Sequence, residues 1–437
     1  MTTPLRIAMI SEHASPLAAA GGVDAGGQNI YVAHVARSLA RRGHQVDVLT
    51  RRDQPQQPAA QSLCPGVRVV HIQAGPARFV PKERLLVHMP EFAAAAEALV
   101  RHSGPYDLAH ANFFMSGVVA QQLKRALGLP YVMTFHALGL VRREHQREAD
   151  AFPPERAAIE RALVHDADLV LPECPQDAAD LERLYGADAT RLRMVPCGFD
   201  PAEFRPMSRA RARAQLGLPQ DEFIVLQLGR LVPRKGIDNV IEAMGLLPPG
   251  ARRARLLVVG GESREPDERV TPEIARLRGV AEAAGVAGRV SFVGQRRRAE
   301  LRRFYAAADV FVTTPWYEPF GITPLEAMAC GIPVVGSDVG GIRYSVREGE
   351  TGFLVPPRHP QALARRLGLL MERPALAAAM GRAGLQRARS MFTWDEVARQ
   401  LLAVYEEVRE RRTQPADAPW TLPLPAAAAA AQGVPMA

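Results

Sequence analysis

The sequence predicts an α/β protein: two Rossmann-like parallel-sheet domains facing a cleft, with a last helix that follows the second. Three observations carry that prediction. At 437 residues the chain exceeds one ordinary core, and two units of about 200 residues are the natural division. Short β-branched runs alternate with helical patterns along nearly its whole length. Those runs are close to continuously apolar, as strands covered on both faces must be.

In the first half the strand runs are LRIAMIS, QVDVLT, VRVVHIQA, DLAHAN, YVMTFHAL, DLVLPE and RLRMVPC. Helices lie between them, such as Asn29 to Arg42, whose apolar residues recur at helical spacing and stop at Gly43. After CGFDPAEFRP the alternation restarts with FIVLQLG, RLLVVGG, RVSFVG, DVFVTT, PVVGSD and GFLVPP. Residues 198–206, with Gly198, Pro201 and Pro206, read as a hinge. The expected division is therefore 1–200, 201–390, a helix over 391–412 and a disordered Pro/Ala tail over 413–437. Ligands of such open sheets bind beyond the carboxyl ends of the strands.

Composition narrows the function classes. With 47% hydrophobic and 23% charged residues the chain is globular, and its formal net charge of +8 is a mild excess for this length. That balance suits an anionic small substrate or at most peripheral membrane contact, and does not call for nucleic acid. The best basic runs, Arg205 to Arg213 and Arg296 to Arg303, lack interleaved aromatics. No window approaches the ~20 apolar residues of a spanning helix, and MTTPLRIAMIS has no signal-peptide pattern. Cys64, Cys174, Cys197 and Cys330 lack ligand spacing and read as reduced thiols. A cytoplasmic protein is expected; nothing here sets its oligomeric state.

Two segments have the chemistry of anion sites. GGVDAGGQN follows the first strand and opens a helix, where backbone N–H groups can approach a phosphate. It can equally be a flexible turn. Its spacing is not GxGxxG, which disfavours a dinucleotide cofactor, and no other cofactor is indicated. In QLGRLVPRKGIDNV, Arg230 and Lys235 flank a strand-to-helix turn and suit a diphosphate. Lys235 is one of only three lysines, with Lys82 and Lys124, in a chain that otherwise uses arginine. The alternative is an exposed basic loop.

The segment YEPFGITPLEAM places Glu318 and Glu326 with seven residues between them. Thr323, Pro324 and Glu326 match a capping box, which by itself explains Glu326 structurally. Glu318 precedes that cap beside Pro319, Phe320 and Gly321, where a carboxylate can accept from sugar hydroxyls. Paired carboxylates alone fit a glycosidase. Joined to an Arg/Lys clamp they point to a nucleotide-activated sugar. The one DxD, Asp166 to Asp168, reads as a helix end, so no metal site is expected.

With these motifs in this order, nearly the whole chain apart from the tail resembles the family 4 glycosyltransferases, retaining enzymes of the GT-B fold. The resemblance rests on E-x7-E at Glu318 and Glu326, the turn with Arg230 and Lys235, AGGQNIYV, and TFHALG around His136. Its nearest branch is that of sucrose-phosphate synthase and sucrose synthase, with a looser likeness to the inositol-phosphate glycosyltransferases of mycothiol synthesis. The resemblance implies that Glu318 and the backbone of Phe320, Gly321 and Ile322 hold the donor sugar. It implies that Glu326 accepts from the nucleotide ribose, and that Arg230 and Lys235 bind the diphosphate. Gly26 and Gly27 would approach from the opposite domain, and His136 would touch a distal sugar hydroxyl. Without its TFH context His136 reads as a hydrogen-bonded core residue. The family's last helix crosses back onto the first domain, and FTWDEVARQLLAVYEEVRERR is placed to do so.

A phosphorylated acceptor would account for Lys82, Arg84, Arg142, Arg143 and Arg156 in the first domain, although arginines on solvated helices would look the same. Phe113 and Phe114 stand where sucrose-type relatives often carry a hydroxylated aromatic. The expected reaction is metal-independent transfer of a hexosyl group from a UDP- or ADP-glucose type donor to a sugar, sugar phosphate or inositol phosphate. The alternatives are a nucleotide-sugar hydrolase or epimerase on the same fold, and a non-catalytic anion-binding protein.

Overall fold

The computed structural model describes residues 3–18, 26–147, 150–248 and 254–413. The expected disordered tail, and the glycine run up to Ala25, lie outside these residues apart from the end of the last helix.

The first sheet contains β1 (Arg6–Ile10), β2 (Gln45–Arg51), β3 (Ala60–Cys64), β4 (Val67–Ile72), β5 (Leu108–Asn112), β6 (Tyr131–Thr134) and β7 (Leu169–Val170). Their order is β3-β4-β2-β1-β5-β6-β7, parallel throughout except where β3 pairs antiparallel with β4. The second sheet contains β8 (Phe223–Leu228), β9 (Ala254–Val259), β10 (Val290–Gly294), β11 (Val310–Thr313), β12 (Val334–Ser337) and β13 (Gly352–Val355). It is wholly parallel, in the order β10-β9-β8-β11-β12-β13. β5 and β8 are buried along their full length, as the continuous apolar runs require. This is the expected pair of parallel α/β sheets.

Two expectations for the first sheet need correction. β3 was not anticipated: it is an exposed edge strand and lacks an apolar run. RLRMVPC is not a strand and makes only an isolated bridge, Leu192 with Val170. The Arg193 and Val195 amides donate to the carbonyls of Val170 and Pro172. Pro172 has no N–H to return to the neighbouring chain, so the ladder stops there.

The helix Trp394–Thr413 packs its buried face, Trp394, Val397, Ala398, Leu401, Val404, Tyr405 and Val408, at helical spacing. It lies along the helix Gly27–Arg41, which begins two residues earlier than expected. The Tyr405 hydroxyl lies 2.7 Å from His110 Nδ1 on β5, and Arg193 forks onto Glu407. The last helix thus returns to the first sheet. Where the chain enters it, the Phe199 amide donates to the Phe392 carbonyl (2.8 Å) and the Trp394 amide to the Phe199 carbonyl (3.1 Å). A Cβ at Gly198 would stand 2.9 Å from the Trp394 indole, so only glycine lets these segments meet.

Trp394 also stacks on His34 at 5.4 Å and meets Tyr31 edge-on at 5.8 Å. Trp394→Ala should therefore lower unfolding stability by about 3–5 kcal/mol. The check is the denaturation midpoint, with an unchanged midpoint as the contrary result.

Candidate active site

A cavity of about 350 Å³ lies between the two sheets at the carboxyl ends of their strands. From the first half its wall takes residues that follow β1, β5 and β6; from the second, residues that follow β8, β9 and β11. Of the residues singled out from sequence for the donor and the acceptor, Arg84, Phe114 and Arg143 do not line it; Arg230, Lys235, Glu318, Glu326, His136 and the others do.

Lys235 is placed by a short turn, Pro233–Lys235, that Gly236 terminates at φ 64°. A Cβ on Gly236 would come within 2.0 Å of the Thr314 carbonyl oxygen, so the turn presses against the end of β11 in a way only glycine allows. Lys235 Nζ donates to Glu318 Oε2, and the two side chains are 19% and 13% exposed. Burial pushes the Lys235 ammonium down to about 8, helped by Arg234 and Arg230 and opposed by Glu318. Burial works against the Glu318 carboxylate, but Lys235, Arg234 and Arg230 outweigh it and hold its pKa below the ordinary value. Arg230 is exposed at the rim. The loop carrying Glu318 rests on Gly340 and Gly341: added Cβ atoms there would meet the Glu318 carbonyl oxygen at 1.8 Å and Phe320 Cα at 2.3 Å.

The capping box does not form. The helix runs from Ile322 to Ala329 with Gly321 as its N-cap, at φ 93°, and no side chain caps it. Gly321 takes the chain into the helix before Thr323 is reached, leaving Glu326 free for tertiary partners. Glu326 is 2% exposed. Arg298 Nη1 donates to its Oε1 at 2.7 Å and the Tyr305 hydroxyl to its Oε2 at 2.8 Å. Arg298 also reaches Glu203, and its buried Nη2 finds no hydrogen-bond partner among the described residues.

The opposite wall comes from the first sheet. Gly27 faces Ile322 across the cleft, where a Cβ would stand 3.6 Å from Ile322 Cδ1. His136 follows β6 at φ 57°, with Nδ1 3.0 Å from Glu173 Oε1 and Nε2 3.0 Å from Asn112 Oδ1. The ring is hydrogen-bonded within the core and also lines the cavity. Arg156 is 2% exposed and lies over the rings of Phe113, Phe114 and Phe152. Its Nε donates to Glu160 at 2.7 Å and its Nη2 to the Ala137 carbonyl at 2.5 Å, while buried Nη1 finds no partner among the described residues. Arg142 pairs with Asp150 at 2.9 Å, and Lys82 lies at the edge of the same wall. Arg143 does not line the cavity. Consecutive residues of a helix point about 100° apart, and with Arg142 facing the cavity Arg143 turns to the Pro153 carbonyl.

Arg234, Arg298, Glu173, His13 and Tyr317 line the cavity and were not anticipated. Arg298 was hidden in the basic run 296–303, whose pattern is that of a solvated helix face. The Gly340–Gly341 pair was the available signal for a tightly packed loop.

Asp166 Oδ2 accepts from the Tyr131 hydroxyl and Asp168 pairs with Lys124, which gives that DxD a structural role. Among the described residues no cluster of three His, Cys, Asp or Glu could hold a metal ion, and no helix is long and apolar enough to cross a membrane.

Residues 208–387 match the family described as Glycosyl transferases group 1, and residues 26–198 match the Glycosyl transferase 4-like domain. A D-inositol 3-phosphate glycosyltransferase of Acidothermus cellulolyticus is 41% identical over 420 residues, 94% of this chain and 92% of that protein. D-inositol 3-phosphate glycosyltransferase 1 of Catenulispora acidiphila is 38% identical, over 94% of this chain and 97% of its own. The structure of sucrose-phosphate synthase from Thermosynechococcus elongatus superposes with a TM-score of 0.85 at 37% identity, covering 93% of this chain and 100% of that one. The chain belongs to the family 4 glycosyltransferases and has their GT-B fold.

Proposed function

We propose that this glycosyltransferase moves a hexosyl or N-acetylhexosaminyl group from a UDP-type nucleotide sugar to an inositol phosphate in the cytoplasm, with retention at the anomeric carbon. The observation that carries the reading is the division of the cavity's charge. Arg230, Lys235 and Glu318 stand on one wall, while Lys82, Arg142 and Arg156 stand on the other. One wall suits a diphosphate and a sugar, the other a second anion. The inositol phosphate assignment draws on the names of relatives aligned over nearly the whole chain. Sucrose-phosphate synthase, at 37% identity, makes a hexose phosphate the second acceptor to try.

In this reading Arg230 and Lys235 meet the charge on the departing diphosphate, which calls for no metal. Glu318 and the backbone of Phe320, Gly321 and Ile322 hold the sugar, and Glu326, fixed by Arg298 and Tyr305, accepts from the ribose. Gly26 and Gly27 approach the phosphate from the other wall, and His136 closes the sugar's far side. The leaving phosphate takes the acceptor's proton on the face from which it departs, so no side chain needs to serve as base. Rate comes from positioning and fixed charge.

The test is nucleotide release from UDP-N-acetylglucosamine, UDP-glucose and ADP-glucose, each with and without inositol phosphate or a hexose phosphate, in the presence of chelator. A sharp rise with inositol phosphate supports the proposal. Release independent of any acceptor would instead indicate hydrolysis or epimerisation. Arg230→Ala should weaken UDP binding about 10- to 100-fold without unfolding the protein, since Arg230 is exposed and a charge-assisted bond contributes roughly 1.5–3 kcal/mol. Titration of the variant with UDP checks this. A further expectation concerns pH. Burial lowers the pKa of Lys235 to about 8 in the ligand-free site, and a bound diphosphate would restore its preference for the charged form. Binding therefore takes up a proton above that pH, and UDP affinity falls there by up to about tenfold per pH unit. In Lys235→Arg the side chain stays charged, so calorimetry across pH 7–10 should show the alkaline fall only in the wild type.

A further inference from the structure

Tyr317, the residue before Glu318, is 7% exposed and touches both walls of the cleft. The His145 ring stacks on it, with centroids 4.9 Å apart and 13° between the planes. Gln146 Nε2 donates to the Tyr317 hydroxyl. From its own side of the cleft, the Arg234 guanidinium lies 5.3 Å from the ring centroid. Two residues on, the Pro319 carbonyl accepts from Cys174 Sγ of the first half at 3.4 Å.

His145 and Gln146 end the helix Gly139–Gln146. Arg142 lies three and four residues before them, on the same helix face, and lines the acceptor wall. The side chain that would meet the acceptor and the two that hold Tyr317 thus ride on one short rigid element. On the other side of the contact, Tyr317 adjoins Glu318 and Arg234 adjoins Lys235. A displacement of this helix would therefore pass through one aromatic ring to Glu318 and Lys235. A filler of the interdomain contact would need none of these connections.

We propose that Tyr317 is a positioning residue that couples seating of the acceptor on the helix Gly139–Gln146 to the aim of Glu318 and Lys235. The donor sugar then reaches transfer geometry with the acceptor in place, and little of it is lost to water. This rests on the preceding assignment of Arg142 to the acceptor wall and of Glu318 and Lys235 to the donor.

The experiment compares wild type, His145→Ala, Tyr317→Ala and Tyr317→Phe. Transferred product and acceptor-free UDP release are followed with UDP-N-acetylglucosamine and inositol phosphate. His145 is exposed and lines no part of the cavity, so its truncation tests the stack without disturbing the fold. In His145→Ala, kcat/KM for the acceptor should fall about tenfold, the scale of one lost aromatic pair, while UDP affinity holds. The share of donor hydrolysed should rise. Tyr317→Ala should show the same change more strongly, and Tyr317→Phe, which keeps the stack, should stay nearer wild type. Wild-type partition in both alanine variants overturns the coupling, whatever happens to their stability.

If wild type does not turn over this substrate pair, the functional proposal fails and the coupling is read by hydrogen exchange. UDP should then protect residues 139–146 in wild type and not in Tyr317→Ala. No protection in wild type, or equal protection in both, overturns it.

Discussion

Burial of Lys235 against Glu318 is the interaction around which the donor side of this site is organised. Each charge alone would be costly at its depth, and together they offset much of that cost. They stand 83 residues apart, so the fold must bring two loops together for either to be tolerated. It does so by close backbone approach: Gly236 against Thr314 fixes the lysine, and Gly340 with Gly341 against residues 318–320 fixes the carboxylate. The clamp is therefore set before a ligand arrives. In the proposed reaction a diphosphate entering the cavity meets charges already in place and needs little reorganisation to be bound, which is how fixed dipoles and charges favour a developing anion.

That arrangement matters only if the two sheets face each other in a defined way. The chain crosses between the halves near Phe199 and returns near Thr393, and these crossings are hydrogen-bonded to one another. Two paired strands of backbone make one pivot where two independent linkers would allow shear and twist. The returning helix then anchors on His110 through Tyr405 and on Arg193 through Glu407. Any opening or closing of the cleft would have to turn about these paired crossings, and contacts that span it, such as Tyr317 with His145, could then keep a reproducible geometry.

The sheets were legible because parallel strands leave long apolar runs, and the six runs of the second half all became strands. The exposed edge β3 left no such run. RLRMVPC left one but failed to pair, because the obstacle is a missing N–H on a neighbouring segment, which no pattern within the run records. The site shows the same division. Arg230, Lys235, Glu318 and Glu326 could be found by local spacing, and they line one cavity. What each of them bonds to could not. Glu326 matched a capping box and instead accepts from Arg298 and Tyr305, which lie 28 and 21 residues earlier in the chain. Arg142 and Arg143 were indistinguishable as neighbours in sequence, and helix geometry separates them. Local chemistry shows in spacing, whereas partners are decided by tertiary packing.

The proposed acceptor wall raises a question of selectivity that its net charge alone does not answer. Arg142 and Arg156 already have carboxylate partners in Asp150 and Glu160, which offset part of the positive charge of this wall. What Arg156 offers is direction. Three phenylalanine rings and the Ala137 carbonyl fix its guanidinium plane, leaving Nη1 as the donor without a partner among the described residues. An unsatisfied buried donor favours a ligand that places an acceptor atom at that point and penalises one that does not. Phe113, held at φ 83° beside it, presents an apolar ring to the cavity where a hydroxyl would have added a second polar demand. In the proposed reaction a phosphate satisfies Arg156 while the apolar ring tolerates the carbon face of a polyol. Discrimination among phosphorylated acceptors then depends on the distance from phosphate to attacking hydroxyl, because the donor sugar on the opposite wall is fixed.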